Sequence, residues 1–494
     1  MNDIQGFTVG RDIQQKFPKS RLTDIKEAIG GDIIKFISDY LDKTSIVEYD
    51  IMLPLYVSSI GGGIGNLLNQ GCSVYNSAES YCPLYGKEEL GCARFKLGSV
   101  SPHFLYRFGK VADLRVNTMH VAPPGYSKNF FIDLFLNEKT GFLSNIGIPA
   151  KKLQNPTEAG YSGTLYGTDE DGNAGPNYGY AKKYCAGILA IPEFSYITNL
   201  SGTEHSSNFL NDVMEIIEGG HFSRAMAKGS LDYYSYHTLW AATQPGPRFD
   251  MSAGLGRRLN FVVIIPDIEM EKRYKEVQEK GYTSQIDEDV LQVIRGYFYK
   301  LYQTNNIRQV IFTEEYKEWR NNMKVIRHTD YSLFDNVAFG YNFAVNYMNE
   351  GTGEDSHVLY VKLDNRLKTL LKVLAASRSI LSNESFTEWT MYDRVLGFHN
   401  NSKNPTPITK FNAIRALQSR QYLPWKDAVR RLNMAIEEGY YGSFSYTTRH
   451  NEEVTVIYKK SAFESAKEAR LLFFKDNHIK IDEDVIVNGN ETDE

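Results

Sequence analysis

The sequence predicts an α/β protein: strands and helices alternating around a largely parallel sheet, then a helical stretch, then a small C-terminal unit. Three observations lead there. Between residues 106 and about 270, short β-favouring runs alternate with segments of helical apolar spacing. "DEDVLQVIRGYFYKLYQ", "TEEYKEWRNNMKVI" and "LDNRLKTLLKVLAASRSIL" then read as helices between 285 and 385. After the polar, proline-bearing "NNSKNPTPIT" (400–409), the chain reads helix, turn, helix and two strands. These readings divide the chain into a mixed, mainly helical start (1–105), an α/β core (106–275), a helical segment (276–400), the C-terminal unit (401–460), and a helix with an acidic tail (461–494).

The start of the chain carries one helical pattern, "LTDIKEAIGGDIIKFISDYL" (22–41), and a glycine run, "GGGIGN" (61–66), that reads as a flexible turn. Composition bounds the function classes. The 494 residues carry a net charge of −5, which argues against a globally basic nucleic-acid coat but not against a local basic channel. No uninterrupted run of about 18 apolar residues exists, so no membrane span is expected. Four cysteines do not make a disulfide scaffold in so long a chain, and a reducing, cytoplasmic compartment is expected. Cys72, Cys82 and Cys92, with His103 beyond, lack the paired spacing of a zinc site and read as buried thiols.

The first motif is "HVAPPGYSKNFFIDLFL" (120–136). Against the phosphate-loop pattern G-x-x-x-x-G-K-S/T, Ala122 and Ser127 stand for the glycines, Lys128 for the lysine and Asn129 for the hydroxyl. A strand, a small-residue loop, a lysine and a helix form an arrangement that aims N–H groups and a cation at an anion. Loop residues Ala122, Pro123, Pro124, Gly125, Tyr126, Ser127, Lys128 and Asn129 are the candidate nucleotide contacts, with Asn129 the candidate Mg²⁺ ligand. The same residues also fit an ordinary strand–turn–helix connector. The second motif, "KKYCAGILAIPEFSYI" (182–197), is an apolar run ending in Glu193, where an ATPase carries the carboxylate that polarises water. Pro192 occupies the adjacent position of the metal-shell carboxylate. The third, "HTLWAATQPGPRFDMSAGLGRRLNFVVII" (237–265), gives a strand ending in the amide Gln244, then Arg257 and Arg258 before another apolar strand. An amide there can hold the lytic water, and an arginine there can stabilise transition-state charge.

Loop lysine, strand-end glutamate, strand-end amide and arginine pair follow in one order. In that order the chain resembles the AAA+ ATPases, and most closely the minichromosome maintenance (MCM) replicative helicases, over residues 106–385. The resemblance implies an AAA+ P-loop core with a helical lid, ATP and Mg²⁺ as cofactors, and a homo-oligomeric ring, a hexamer, acting on DNA. "SGTLYGTDEDGNAGPNYGYAKKYCAGILAIPEF" (162–194) resembles the family's inserted hairpin before the acidic strand. "LNDVMEIIEGGHFSRAMAKGSLDYYSYHTLWAATQP" (210–245) resembles the hairpin that carries a pore lysine, a position Lys228 matches, with Arg224 nearby. Arg366, in "LDNRLKTLLKVLAASRSIL", matches the second sensor arginine. The departures are Ala122, Ser127, Asn129 and Pro192; they bear on hydrolysis more than on nucleotide binding.

In the C-terminal unit, "TKFNAIRAL" and "WKDAVRRLNMAIEEG" have helical apolar spacing, and "YYGSFSYTT" and "EEVTVIYKK" alternate as a paired wing around "RHNE". This is a winged-helix pattern. Lys426, Arg430 and Arg431 lie on its second helix and Arg449 at the wing tip, which makes them DNA-contact candidates. The expected function is ATP-driven translocation or unwinding of DNA by a ring. The alternatives are a non-hydrolysing AAA+ protein for DNA binding and assembly, and a protein-remodelling AAA+ machine.

Overall fold

The computed structural model describes residues 29–41, 49–71, 103–126, 128–144, 146–168, 174–200, 208–226, 229–244, 254–265, 288–303, 307–323, 329–346, 357–383, 392–393, 396–398, 405–421, 425–448, 450–463 and 465–479, with isolated positions between 270 and 279. The chain is mixed α/β with a central parallel sheet and divides into two compact units. The larger holds 1–244, 248–264 and 281–385, and the smaller 245–247, 265–280 and 386–494.

In the larger unit, α1 (Ile33–Leu41) precedes the long α2 (Tyr49–Asn69). Then come β1 (Thr118–Val121), α3 (Phe130–Leu136), β2 (Ala150–Lys152), β3 (Ile188–Ile191), α4 (Phe209–Gly219), β4 (Thr238–Thr243) and β5 (Asn260–Val263). The five strands pair in parallel in the order β5-β1-β4-β3-β2. Strands β1, β3 and β4 are buried along their whole length, which is why their sequences read as short apolar runs rather than alternating ones. Two antiparallel hairpins interrupt the αβ alternation: Gly163–Thr168 with Ala174–Tyr178, and His221–Met226 with Gly229–Tyr234. Both fall where the sequence predicts hairpins. The tip residues 169–173 and 227–228 lie outside the described residues.

The glycine run overturns its reading as a turn. Gly61, Gly62, Gly63 and Gly65 lie inside α2. A Cβ on Gly61 would come 2.1 Å from the Gly340 carbonyl oxygen, and one on Gly65 would come 2.3 Å from the Phe339 ring. Gly340 lies on α6, whose range is Thr329–Val345; α5 is Glu288–Gln303. The glycines therefore let two helix backbones touch, a packing role that outweighs their poor helix propensity. By length and composition α2 could cross a membrane, but 94% of that stretch is buried inside the protein. It is the central helix of the unit: Ser59 accepts the Trp240 indole N–H at 2.7 Å and donates to the Val116 carbonyl at 2.6 Å. Asn69, near its end, binds the backbone of Phe104, Leu105 and Ala112. The stretch placed at 1–105 thus packs into the α/β unit through α2.

The segment expected to be a helical lid also differs. Between its helices a parallel pair forms, β6 (Gln309–Phe312) with β7 (Val358–Val361), before α7 (Asn365–Asn383). Ser377 and Arg378 of α7 bind the β5 region, Ser377 accepting from the Val263 N–H and Arg378 donating to the Leu259 carbonyl.

The smaller unit contains β8 (Ile408–Thr409), α8 (Lys410–Gln421), α9 (Trp425–Glu437), β9 (Tyr441–Thr447), β10 (Glu453–Lys459) and α10 (Ala466–Asp476). Its antiparallel sheet has the order β8-β10-β9. The helices and the sheet close on one another through Ala413, Leu417, Ala428, Leu432 and Ile457.

Candidate functional site

In an open parallel sheet, ligands sit beyond the carboxyl ends of the strands. Here that edge carries the Lys128 loop, Glu193 and Gln244. β4 lies between β1 and β3, with Thr243 opposite Val121 and Ala241 opposite Ile191. The paired register ends there, with Glu193 two residues beyond Ile191 and Gln244 three beyond Ala241. Past Pro192, which has no N–H to give, the Phe194 N–H reaches the Ala242 carbonyl at 2.7 Å, one residue out of step with the ladder. The Glu193 carboxylate is half-buried and accepts a hydrogen bond from the Ser195 hydroxyl at 2.7 Å. Ser195 was not among the sequence candidates.

The loop leaves β1 with the Ala122 N–H donating to the Thr243 carbonyl at 3.2 Å. Ala122, Pro123 and Tyr126 are buried; Pro124, Gly125 and Asn129 are exposed. Gly125 has φ +88°, so the turn takes its left-handed residue from a glycine at a variable position of the phosphate-loop pattern. Ser127 lies outside the described residues. Asn129 precedes the short α3 and makes no side-chain cap.

Lys128 is 8% exposed, and its ammonium has no hydrogen-bond partner among the described residues. Burial pushes its pKa down to about 8, with the Glu193 charge opposing the shift. His120, on β1 behind the loop, is also buried; burial and then the Lys128 charge push its imidazole down to about 3, so it stays neutral. A buried ammonium without a partner is costly, since the low-dielectric interior replaces none of the lost hydration. The Glu193 charge lies within electrostatic reach of the ammonium, and no hydrogen bond joins the two.

The remaining candidates are placed differently. Arg257 and Arg258, just ahead of β5, both pair with Glu218 of α4, and Arg258 also donates to the Gly254 carbonyl at 2.8 Å. Arg366 is held by Asp32 at 2.9 Å and lies 3.5 Å from the Tyr341 hydroxyl. Arg224 is bound by Glu158 and by Asp212, each at 2.6 Å, at the base of the hairpin. Lys228 and Arg449 lie outside the described residues. Lys426 and Arg430 are exposed, Arg430 pairing with Asp427, whereas Arg431 is half-buried and donates to the Tyr392 hydroxyl. His103 is engaged by the Asn69 carbonyl at 2.6 Å, and Cys72, Cys82 and Cys92 lie outside the described residues.

A small apolar cavity lined by Ser59, Gly63, Ile188, Thr238 and Tyr302 lies at the opposite end of the sheet, where β3 and β4 begin, and carries no charged group. Neither protein-family models nor curated protein sequences match the chain.

Proposed function

We propose that the chain is an AAA+-type ATP-binding protein, similar to the MCM helicases, that acts on DNA as a ring. The observation that carries this reading is the buried Lys128 ammonium at the carboxyl edge of the sheet, without a hydrogen-bond partner among the described residues and within reach of the Glu193 charge. A polyphosphate supplies the missing partner. The strand order supports it as well. β4, which leads into Gln244, lies between the loop strand and the acid strand, an order that suits an amide holding a lytic water. The order β8-β10-β9 about α8 and α9 supports a winged helix.

In this reading Lys128 binds the β- and γ-phosphates, Glu193 polarises water and Gln244 orients it. Arg258, with Arg257, acts on the neighbouring subunit's nucleotide once released from Glu218, and Arg366 senses the γ-phosphate. Lys228 grips the DNA backbone. Mg²⁺ accompanies ATP in such sites, but the side chains fit it poorly. Among the described residues no three acidic, histidine or cysteine side chains cluster, Pro192 stands at the carboxylate position, and Asn129 is an exposed amide. Those same features favour a second reading, in which ATP is bound as a structural ligand without turnover.

ATP binding and turnover, with and without single-stranded and duplex DNA, test both beside Lys128→Ala and Glu193→Gln. Turnover stimulated by DNA and lost in both variants is the expected result. Binding without turnover selects the second reading. No nucleotide binding above that of Lys128→Ala overturns both.

A further inference from the structure

The smaller unit leaves two large aromatic rings in water. Phe411, near the start of α8, is 55% exposed, and Trp425, the first residue of α9, is 43% exposed. Their ring centroids are 5.9 Å apart. Arg415, one turn beyond Phe411, holds its guanidinium 5.2 Å from the centre of the Phe411 ring. Neither ring joins the apolar clusters that hold this unit together, so its folding does not account for them. Arg415 on α8 and Lys426 and Arg430 in the first half of α9 are exposed cations on the same two helices, with Asp427 engaged by Arg430.

We propose that Phe411 and Trp425 form a stacking platform for unpaired bases of a single-stranded nucleic acid, with Arg415, Lys426 and Arg430 holding its phosphates. This rests on the reading that the chain acts on DNA, and it names the form of DNA and the residues that receive it. Charge chooses a polyanion as the occupant, and the rings choose the strand form. Unpaired bases expose π-faces that stack on aromatic side chains whatever their sequence. A duplex hides those faces and offers edges and phosphates, so it engages the cations and gains little from the rings.

The test measures binding of the full chain to a labelled oligothymidine strand and to a labelled duplex of equal length, by fluorescence anisotropy over a salt series. Trp425→Ala is expected to weaken single-strand binding about tenfold and duplex binding far less. Trp425→Phe keeps a ring and is expected to recover most of the loss. Lys426→Ala is expected to weaken both substrates and lower the salt slope by about one. The Trp425 ring is exposed, so circular dichroism should show the Trp425 variants folded. Equal losses on the two substrates, or a Trp425→Phe as weak as Trp425→Ala, overturn the platform and leave DNA binding standing. A wild-type chain that binds neither substrate overturns the platform together with the DNA reading. So does self-association that Trp425→Ala abolishes without any DNA binding, because it assigns the face to protein contact.

Discussion

Arg115 and Lys128 stand on either side of β1 and both are buried, yet their surroundings are opposite. Arg115 has a fully covered side chain. Its guanidinium binds both Asp113 carboxylate oxygens and the carbonyls of Ile216, Ser235 and His237. Lys128 has no hydrogen-bond partner among the described residues, only the charge of Glu193 within reach. The first cation ties α4 and the approach to β4 onto the entrance of β1. The second stands at the carboxyl edge, where sheets of this kind bind ligands. Burial alone does not separate a structural cation from a binding one; the count of satisfied donors does.

The largest expected effect follows from breaking the satisfied case. Arg115→Met leaves three carbonyls and Asp113 without their donor and should destabilise the protein by about 3–5 kcal/mol, the usual result of removing one partner from a buried ionic network. Urea unfolding measures it. A loss below about 1 kcal/mol would mean that solvent replaces the guanidinium and that the contrast with Lys128 is only apparent.

Lys128→Met should behave in the opposite way. It replaces an uncompensated charge with an apolar chain of similar length, so stability should stay level or rise, while nucleotide affinity falls at least about tenfold if the ammonium binds phosphate. Thermal unfolding with and without ATP reads both. A stability loss as large as that of Arg115→Met would show a structural partner for Lys128 and remove the ground for a ligand.

The same lysine predicts a pH dependence. Its folded pKa is about 8 against an ordinary 10.5. Below pH 8 the ammonium is charged in the folded and unfolded chains alike, and the burial penalty is fully present. Between about pH 8 and 10.5 the folded chain has released its proton and the unfolded chain has not, so stability rises with pH across that window. The difference between wild type and Lys128→Met isolates this slope. A bound polyphosphate holds the proton in place, so nucleotide binding above pH 8 should take up protons, which calorimetry in two buffers of different ionisation enthalpy detects. An identical pH profile in the two proteins would place the lysine in contact with water.

The sheet was legible because its central strands are buried on both faces and therefore read as "ILAI" and "TLWAAT". β2, "AKK", is half-exposed along its length and leaves no apolar run to find. The glycines of α2 misled because their partner, Gly340, is far away in sequence, and local propensity then reads only as a turn. Likewise the edge residues were legible as types at strand ends, but their partners were not. Nothing near Arg224 in the sequence announces Glu158, and nothing near Arg258 announces Glu218.

Arg258 is intermediate between the two buried cations and gives the smallest predicted effect. Its side chain is 10% exposed, but its carboxylate partner Glu218 is 47% exposed and shared with Arg257. A half-solvated pair contributes little, so Glu218→Gln should change stability by less than about 1 kcal/mol. The functional consequence is the sharper one. If Arg258 acts on a neighbouring subunit, Glu218 competes with that role, and Glu218→Gln should leave ATP turnover unchanged or raised while Arg258→Ala abolishes it. If both variants lose turnover equally, the pair works as a unit within its own chain. Arg258 would then belong with Arg115 among the cations that hold the fold.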